Sequence, residues 1–158
     1  MKNMRQISAL FLAVVMALSL AACGGAEKTV VLRGDVTDDM GGIPTTDTWT
    51  LTAKGDVVQT MKEVFELDLS EYDDETRDYF TSMLDSLILE PAEGIEGVEC
   101  TSNMTGTTYL VELTVDCTGS AVKEAAEAGI LTVDGNADII SLKQTQASLE
   151  QQGYEVVE

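Results

Sequence analysis

Histidine is absent from the 158 residues, and only nine residues are basic against 28 acidic ones. Without histidine the chain lacks the commonest general base, the commonest zinc ligand and the usual partner of a nucleophilic serine or cysteine, which excludes most hydrolase templates. The shortage of lysine and arginine argues against a nucleic-acid partner and against a domain lying flat on anionic lipid, since both call for a basic stripe. No apolar run is long enough to cross a bilayer. The longest, Ile7 to Leu20, has about fourteen residues where a spanning helix takes about 20. Cysteine occurs three times, as Cys23, Cys100 and Cys117, and no motif implies a cofactor.

The apolar run has its own explanation. Lys2 and Arg5 precede it as a short basic region, and Leu20-Ala21-Ala22-Cys23 closes it as a lipobox, with two small residues for a narrow peptidase groove and a thiol to carry lipid. The expected organisation is a lipoprotein signal peptide over residues 1–22, removed on maturation, then a lipidated Cys23 with a short tether through residue 28, then one extracytoplasmic domain over residues 29–158. A single acyl chain holds a protein only marginally, whereas the two of a diacylglyceryl thioether, palmitate among their typical acids, hold it stably. Removing residues 1–22 leaves seven basic and 28 acidic residues, a net charge of −21, which suits a soluble body held just off the membrane. Gly24, rather than Asp, follows the cysteine. In a cell with two membranes the protein is therefore expected to move to the outer one, and otherwise to stay on the outer side of the cell membrane.

The mature chain, about 136 residues from Cys23 onward, is long enough for one domain with a real core. Thr29 to Arg33 reads as a first strand and Asp35 to Asp47, with Gly41, Gly42 and Pro44, as a loop. Thr48 to Ala53 alternates, with Trp49, Leu51 and Ala53 on one face; Lys54-Gly55-Asp56 turns the chain, and Val57 to Leu67 returns with a change of face that a bulge explains. Ser70, with Asp73 three residues on, predicts the start of a long helix ended by Pro91. Tyr72, Thr76, Tyr79, Phe80, Met83, Leu84, Leu87 and Ile88 would form its buried stripe, while Arg77 and Asp85 lie elsewhere.

A hairpin follows, with Val98, Cys100, Ser102 and Met104 sharing a face with Tyr109, Val111, Leu113, Val115 and Cys117. A turn at Thr105-Gly106 sets Cys100 opposite Val111 and separates the two cysteines by roughly 20 Å, beyond bridging distance, so free buried thiols are expected. An Ala-rich helix over residues 121–128 and a final helix capped by Ser141 complete the chain. The latter ends in a Schellman motif at Gly153, with Tyr154 packed on Leu149 and Val156-Val157 as an edge strand. The fold class is α+β: an antiparallel sheet built from hairpins, packed against one long central helix and shorter C-terminal helices.

The lipobox at Cys23, the Lys54-Gly55-Asp56 turn with Val57-Val58 behind it, the long helix, the run Gly94-Ile95-Glu96-Gly97-Val98 and the ending Leu149-Glu150-Gln151-Gln152-Gly153-Tyr154-Glu155-Val156-Val157 together resemble the YehR-type lipoproteins. The likeness covers nearly the whole mature chain and rests on the order and spacing of the motifs. It implies a single tethered α+β domain in a family of undefined activity, with no catalytic residues to carry over. The loop Asp35 to Asp47 departs from that pattern as an apparent insertion, and this chain is far more acidic than its lysine-rich relatives.

Candidate chemistry is sparse. Asp134-Gly135-Asn136-Ala137-Asp138 opens like a calcium loop, but Ile139 stands where the sharp turn needs Gly and Thr145 where a bidentate Glu belongs. The acidic runs Asp35, Asp38, Asp39 and Glu71, Asp73, Asp74, Glu75 read as a solvated loop and a helix start. A glycoside hydrolase would need exposed aromatics as well as a carboxylate pair, and Trp49, Tyr72, Tyr79, Phe65, Phe80 and Tyr109 all fall on predicted core faces. Met40 and Ile43, apolar residues in the long loop that no periodicity hides, are the candidate partner-binding residues. The expectation is a non-enzymatic envelope module, anchored in the membrane through the lipid on Cys23. Its partner would be an envelope protein or a small ligand; a calcium-binding lipoprotein is the alternative.

Overall fold

Alternation of apolar and polar side chains dominates the chain and builds one broad sheet. The computed structural model describes residues 14–16, 25–134 and 139–157; Cys23 lies outside the described residues. The elements are β1 (Val14–Met16), β2 (Glu27–Asp35), β3 (Thr45–Lys54), β4 (Val57–Asp68), α1 (Asp74–Ala92), β5 (Val98–Thr105), β6 (Thr108–Asp116), α2 (Ala121–Glu127), β7 (Thr132–Asp134), α3 (Leu142–Gln151) and β8 (Glu155–Val156). Six strands form an antiparallel sheet in the order β5-β6-β4-β3-β2-β8. The α+β class is as expected. β1 pairs in parallel with β7 as a separate short ribbon.

One face of the sheet is buried under the helices. Val30 and Leu32, Trp49, Leu51 and Ala53, Val58 and Met61, and Leu113 and Val115 form a cluster with Ala121, Val122 and Ala125 of α2 and Leu142 and Leu149 of α3. A second cluster joins Phe65, Leu67, Tyr109 and Val111 to Leu84 and Ile88 of α1. Both clusters, with their half-buried fringe, lie between Val30 and Tyr154, so the chain from Gly24 onward holds the described core. The opposite face is polar and half-exposed, rich in threonine, and crossed by ion pairs from Lys62 to Glu112 (3.2 Å) and from Arg33 to Glu66 (3.7 Å). The expected change of face in β4 is a bulge: Thr52 faces Thr60 and Ala53 faces Val58, leaving Gln59 extra, so that Val58 and Met61 both point inward.

Strand β3 begins at Thr45, so Asp47, read as the end of the long loop, lies inside a strand, and four more details differ from the reading of the sequence. The cap of α1 is Asp73, whose Oδ1 accepts from the Thr76 N–H at 2.8 Å, and not Ser70; a carboxylate is an equally good acceptor and also suits the positive end of the helix. Pro91 sits inside the last turn and the helix ends one residue later, at Ala92. The β5–β6 turn is Gly106-Thr107, with Thr105 facing Thr108, so Cys100 faces Leu113. A shift of two residues keeps the same side chains inward, and both thiols are free as expected, but only Cys117 is buried and Cys100 is half-buried.

The fourth concerns α1 itself. Tyr79 is 66% exposed and Leu87 48% exposed, whereas Leu84, Ile88 and Ala92 are buried. The cause is Asp85, which accepts from Ser102 Oγ at 2.8 Å and from the Tyr109 hydroxyl. These two hydroxyls, on β5 and β6, roll the helix so that Asp85 faces the hairpin and Tyr79 turns outward. Leu84→Asp should therefore cost about 3 kcal/mol or more, while Tyr79→Asp should stay within about 1 kcal/mol of the parent in urea unfolding. Equal losses for the two would contradict this placement of α1.

Candidate functional site

Between the two apolar clusters runs a polar seam. Adjacent rows across the sheet read Cys100–Leu113–Glu63–Trp49–Leu32 and Ser102–Val111–Phe65–Asp47–Gly34. Glu63 and Asp47 are thus diagonal neighbours on the covered face, 2% and 1% exposed. Strand alternation puts them there: Asp47 precedes Trp49 by two residues, and Glu63 lies midway between Met61 and Phe65, so neither can turn outward without reversing a whole strand.

Asp47 is the better supported of the two. Its Oδ2 accepts from the Trp49 indole N–H at 2.8 Å and from the Tyr154 hydroxyl at 2.5 Å. The Schellman ending of α3 delivers Tyr154, with Gly153 at φ 96° and the Tyr154 N–H bonded to the Leu149 carbonyl at 3.1 Å. The ring then lies over Gly34, where a Cβ would come within 2.9 Å of Tyr154 Cδ1; only glycine leaves room for it.

Asp47 Oδ1, both Glu63 oxygens and Thr145 Oγ1 are the buried side-chain oxygens left without a hydrogen bond among the described residues. Burial pushes the Asp47 carboxyl up to about 6, against the pull of the bonds from Tyr154 and Trp49. Burial, and then the negative charge of Asp47, push Glu63 well above the usual carboxylate range. An unpaired buried carboxylate costs several kcal/mol, so Glu63 holds a proton, and that proton supplies a donor for the pair. Burial and the charge of Asp47 also raise Tyr154. Cys100 is pushed up to about 11, by burial first and then by Glu63 and Asp85. Tyr154 and Cys100 therefore stay protonated across the range in which the acids titrate. Enclosed as it is, the pair can bind and release protons but cannot reach a substrate.

The residues singled out from the sequence sit elsewhere. Cys23 lies outside the described residues, as do residues 135–138 of the calcium-like loop. Ile43 is 7% exposed and belongs to the α1 cluster, with Met40 half-buried against it; they fasten the long loop to the core. Of the acidic runs, Asp35 Oδ1 accepts from the Thr37 N–H at 2.9 Å, Asp73 caps α1, and Asp74 pairs with Arg77 at 2.8 Å. Among the described residues no three acids or cysteines gather as metal ligands. Asp47 and Glu63 escaped the sequence reading, although an acid two residues from Trp49, and another between Met61 and Phe65, was a legible signal once alternation is carried through.

Both folded pKa values lie above those of the unfolded chain. The stability they confer is full below about pH 4 and is lost as pH rises through 6 and beyond. The wild-type melting temperature should fall from pH 5 to pH 8, and Glu63→Gln should flatten that fall and melt above wild type at pH 8. Parallel profiles for the two proteins would mean that Glu63 carries no raised pKa.

The model of a family described as "Protein of unknown function (DUF1307)" matches residues 38–155. Among solved structures, the NMR structure of the Escherichia coli YehR protein superposes with a TM-score of 0.60 at 16% identity, over 85% of this chain and 94% of that one. The NMR structure of a protein from Streptococcus pneumoniae TIGR4 gives 0.57 at 14% identity, over 89% and 90%. At such identities the likeness is one of fold. No curated protein matches significantly. Matched by that family model over most of its length, the chain belongs to the DUF1307 family of proteins of unknown function.

Proposed function

We propose that this protein is an extracytoplasmic bacterial lipoprotein, held to the membrane through lipid on Cys23, whose domain binds a partner in the cell envelope and does no chemistry. The observation that carries the reading is the lipobox Leu20-Ala21-Ala22-Cys23 standing immediately before a folded domain. Already at Gly25 the chain is fastened. A Cβ there would lie 2.5 Å from Gly55 Cα, and the Gly55 N–H donates to the Ala26 carbonyl at 3.2 Å. The reach from Cys23 to Gly25 is two residues, about 7 Å when extended, so the β3–β4 turn is the end of the domain nearest the lipid. The enclosure of the acid pair supports a binding role over a hydrolytic one, since a general acid must touch its substrate.

Cells grown with an alkyne fatty acid should yield a labelled protein, and Cys23→Ser should lose the label and remain as a slower-migrating precursor. A variant that is still labelled and still processed would overturn the reading.

A further inference from the structure

We propose that the flank of α1 bearing Tyr79, Met83 and Leu87 is a docking surface for an envelope-protein segment that presents apolar anchors among lysines and arginines. The proposal rests on the lipoprotein reading above and names the chemistry of the partner. Residues spaced by four lie along one ridge of a helix. Tyr79 and Leu87 are 66% and 48% exposed, and Met83 between them is half-buried. Met83 and Leu87 each lie two residues from Asp85, about 160° round the helix at 100° per residue. Asp85 is bonded to Ser102 and Tyr109 of the edge hairpin, so the ridge looks away from that hairpin and the bonds that roll the helix also hold the ridge in the open.

Charge selects the occupant. Glu75 stands one turn before Tyr79 and Glu90 nearly one turn after Leu87, both on the ridge side. Arg77 is the one cation of α1, and it is engaged by Asp74 at 2.8 Å and by the Leu69 carbonyl at 3.1 Å. The ridge is thus apolar with an acidic rim, which a cationic segment complements and a second copy, itself at −21, repels. Position argues against the bilayer. Tyr72 and Phe80 pack on the same cluster as Met40 and Ile43, beside the start of β3, whereas Gly25 docks at its far end, and the ten residues of β3 span about 33 Å. The ridge begins at the end of the domain remote from the anchor.

The test is fluorescence anisotropy of a labelled amphipathic peptide of leucines and lysines, with leucines every fourth residue, titrated with the chain from Gly24. Tyr79→Ser combined with Leu87→Ser should weaken binding about ten-fold or more, while Met104→Ser combined with Val157→Ser, at two other exposed apolar positions, should change it less than about two-fold. Raising the salt should weaken the wild-type interaction. No binding by the wild type, or equal binding by the ridge variant, would overturn the proposal. So would a wild-type dimer in sedimentation that the ridge variant dissolves, or adsorption to phosphatidylglycerol vesicles that it abolishes. Fatty-acid labelling of Cys23 is independent of these substitutions, so failure here leaves the lipoprotein reading standing.

Discussion

A single carboxylate oxygen, Asp47 Oδ2, ties the C-terminal turn to the middle of the sheet. It takes one hydrogen bond from Trp49 on its own strand and one from Tyr154, 107 residues further along the chain. Several local features have sense only with that oxygen in place: glycine at 34 to admit the ring, glycine at 153 to reverse α3, and the two-residue β8 that follows and pairs with β2 at Leu32 and Arg33. Hydrogen bonds to a charged acceptor are about twice as strong as neutral ones and lose little to water when enclosed. The neighbouring Glu63 sharpens the arrangement, because two carboxyls so close cannot both ionise and one must keep its proton.

A second polar contact sets the other half of the molecule. Asp85 reaches from α1 to the hydroxyls of Ser102 and Tyr109, and in doing so decides which apolar side chains of the helix are buried and which are left outside. The long loop between β2 and β3 completes that cluster by giving up Ile43 and leaning Met40 on it. What looks in sequence like an exposed acidic insertion is a lid on the second core, with Asp35 engaged in the turn at its start.

The distribution of charge then joins structure to role. Among the described residues most acids face water, and two, Asp47 and Glu63, are withdrawn into the core. The anchored end is the β3–β4 turn, if Cys23 carries lipid. The open apolar ridge of α1, the proposed docking surface, begins at the opposite end.

The sequence by itself determined the fold class and most of the elements. Strand alternation, the Schellman ending and the bulge in β4 depend on neighbours within a few residues. It also showed, through parity and the separation along the ribbon, that Cys100 and Cys117 share a face without meeting, a conclusion that survived a two-residue shift in the pairing of the hairpin. Only the tertiary structure decided that Asp47 and Glu63 meet, because the pairing of β3 with β4 sets their diagonal. It alone decided, too, that Tyr79 and Leu87 are exposed. The apolar pattern of α1 is wider than the stripe a sheet can cover, and which edge of it is buried was settled by Asp85 and two hydroxyls supplied from another part of the chain.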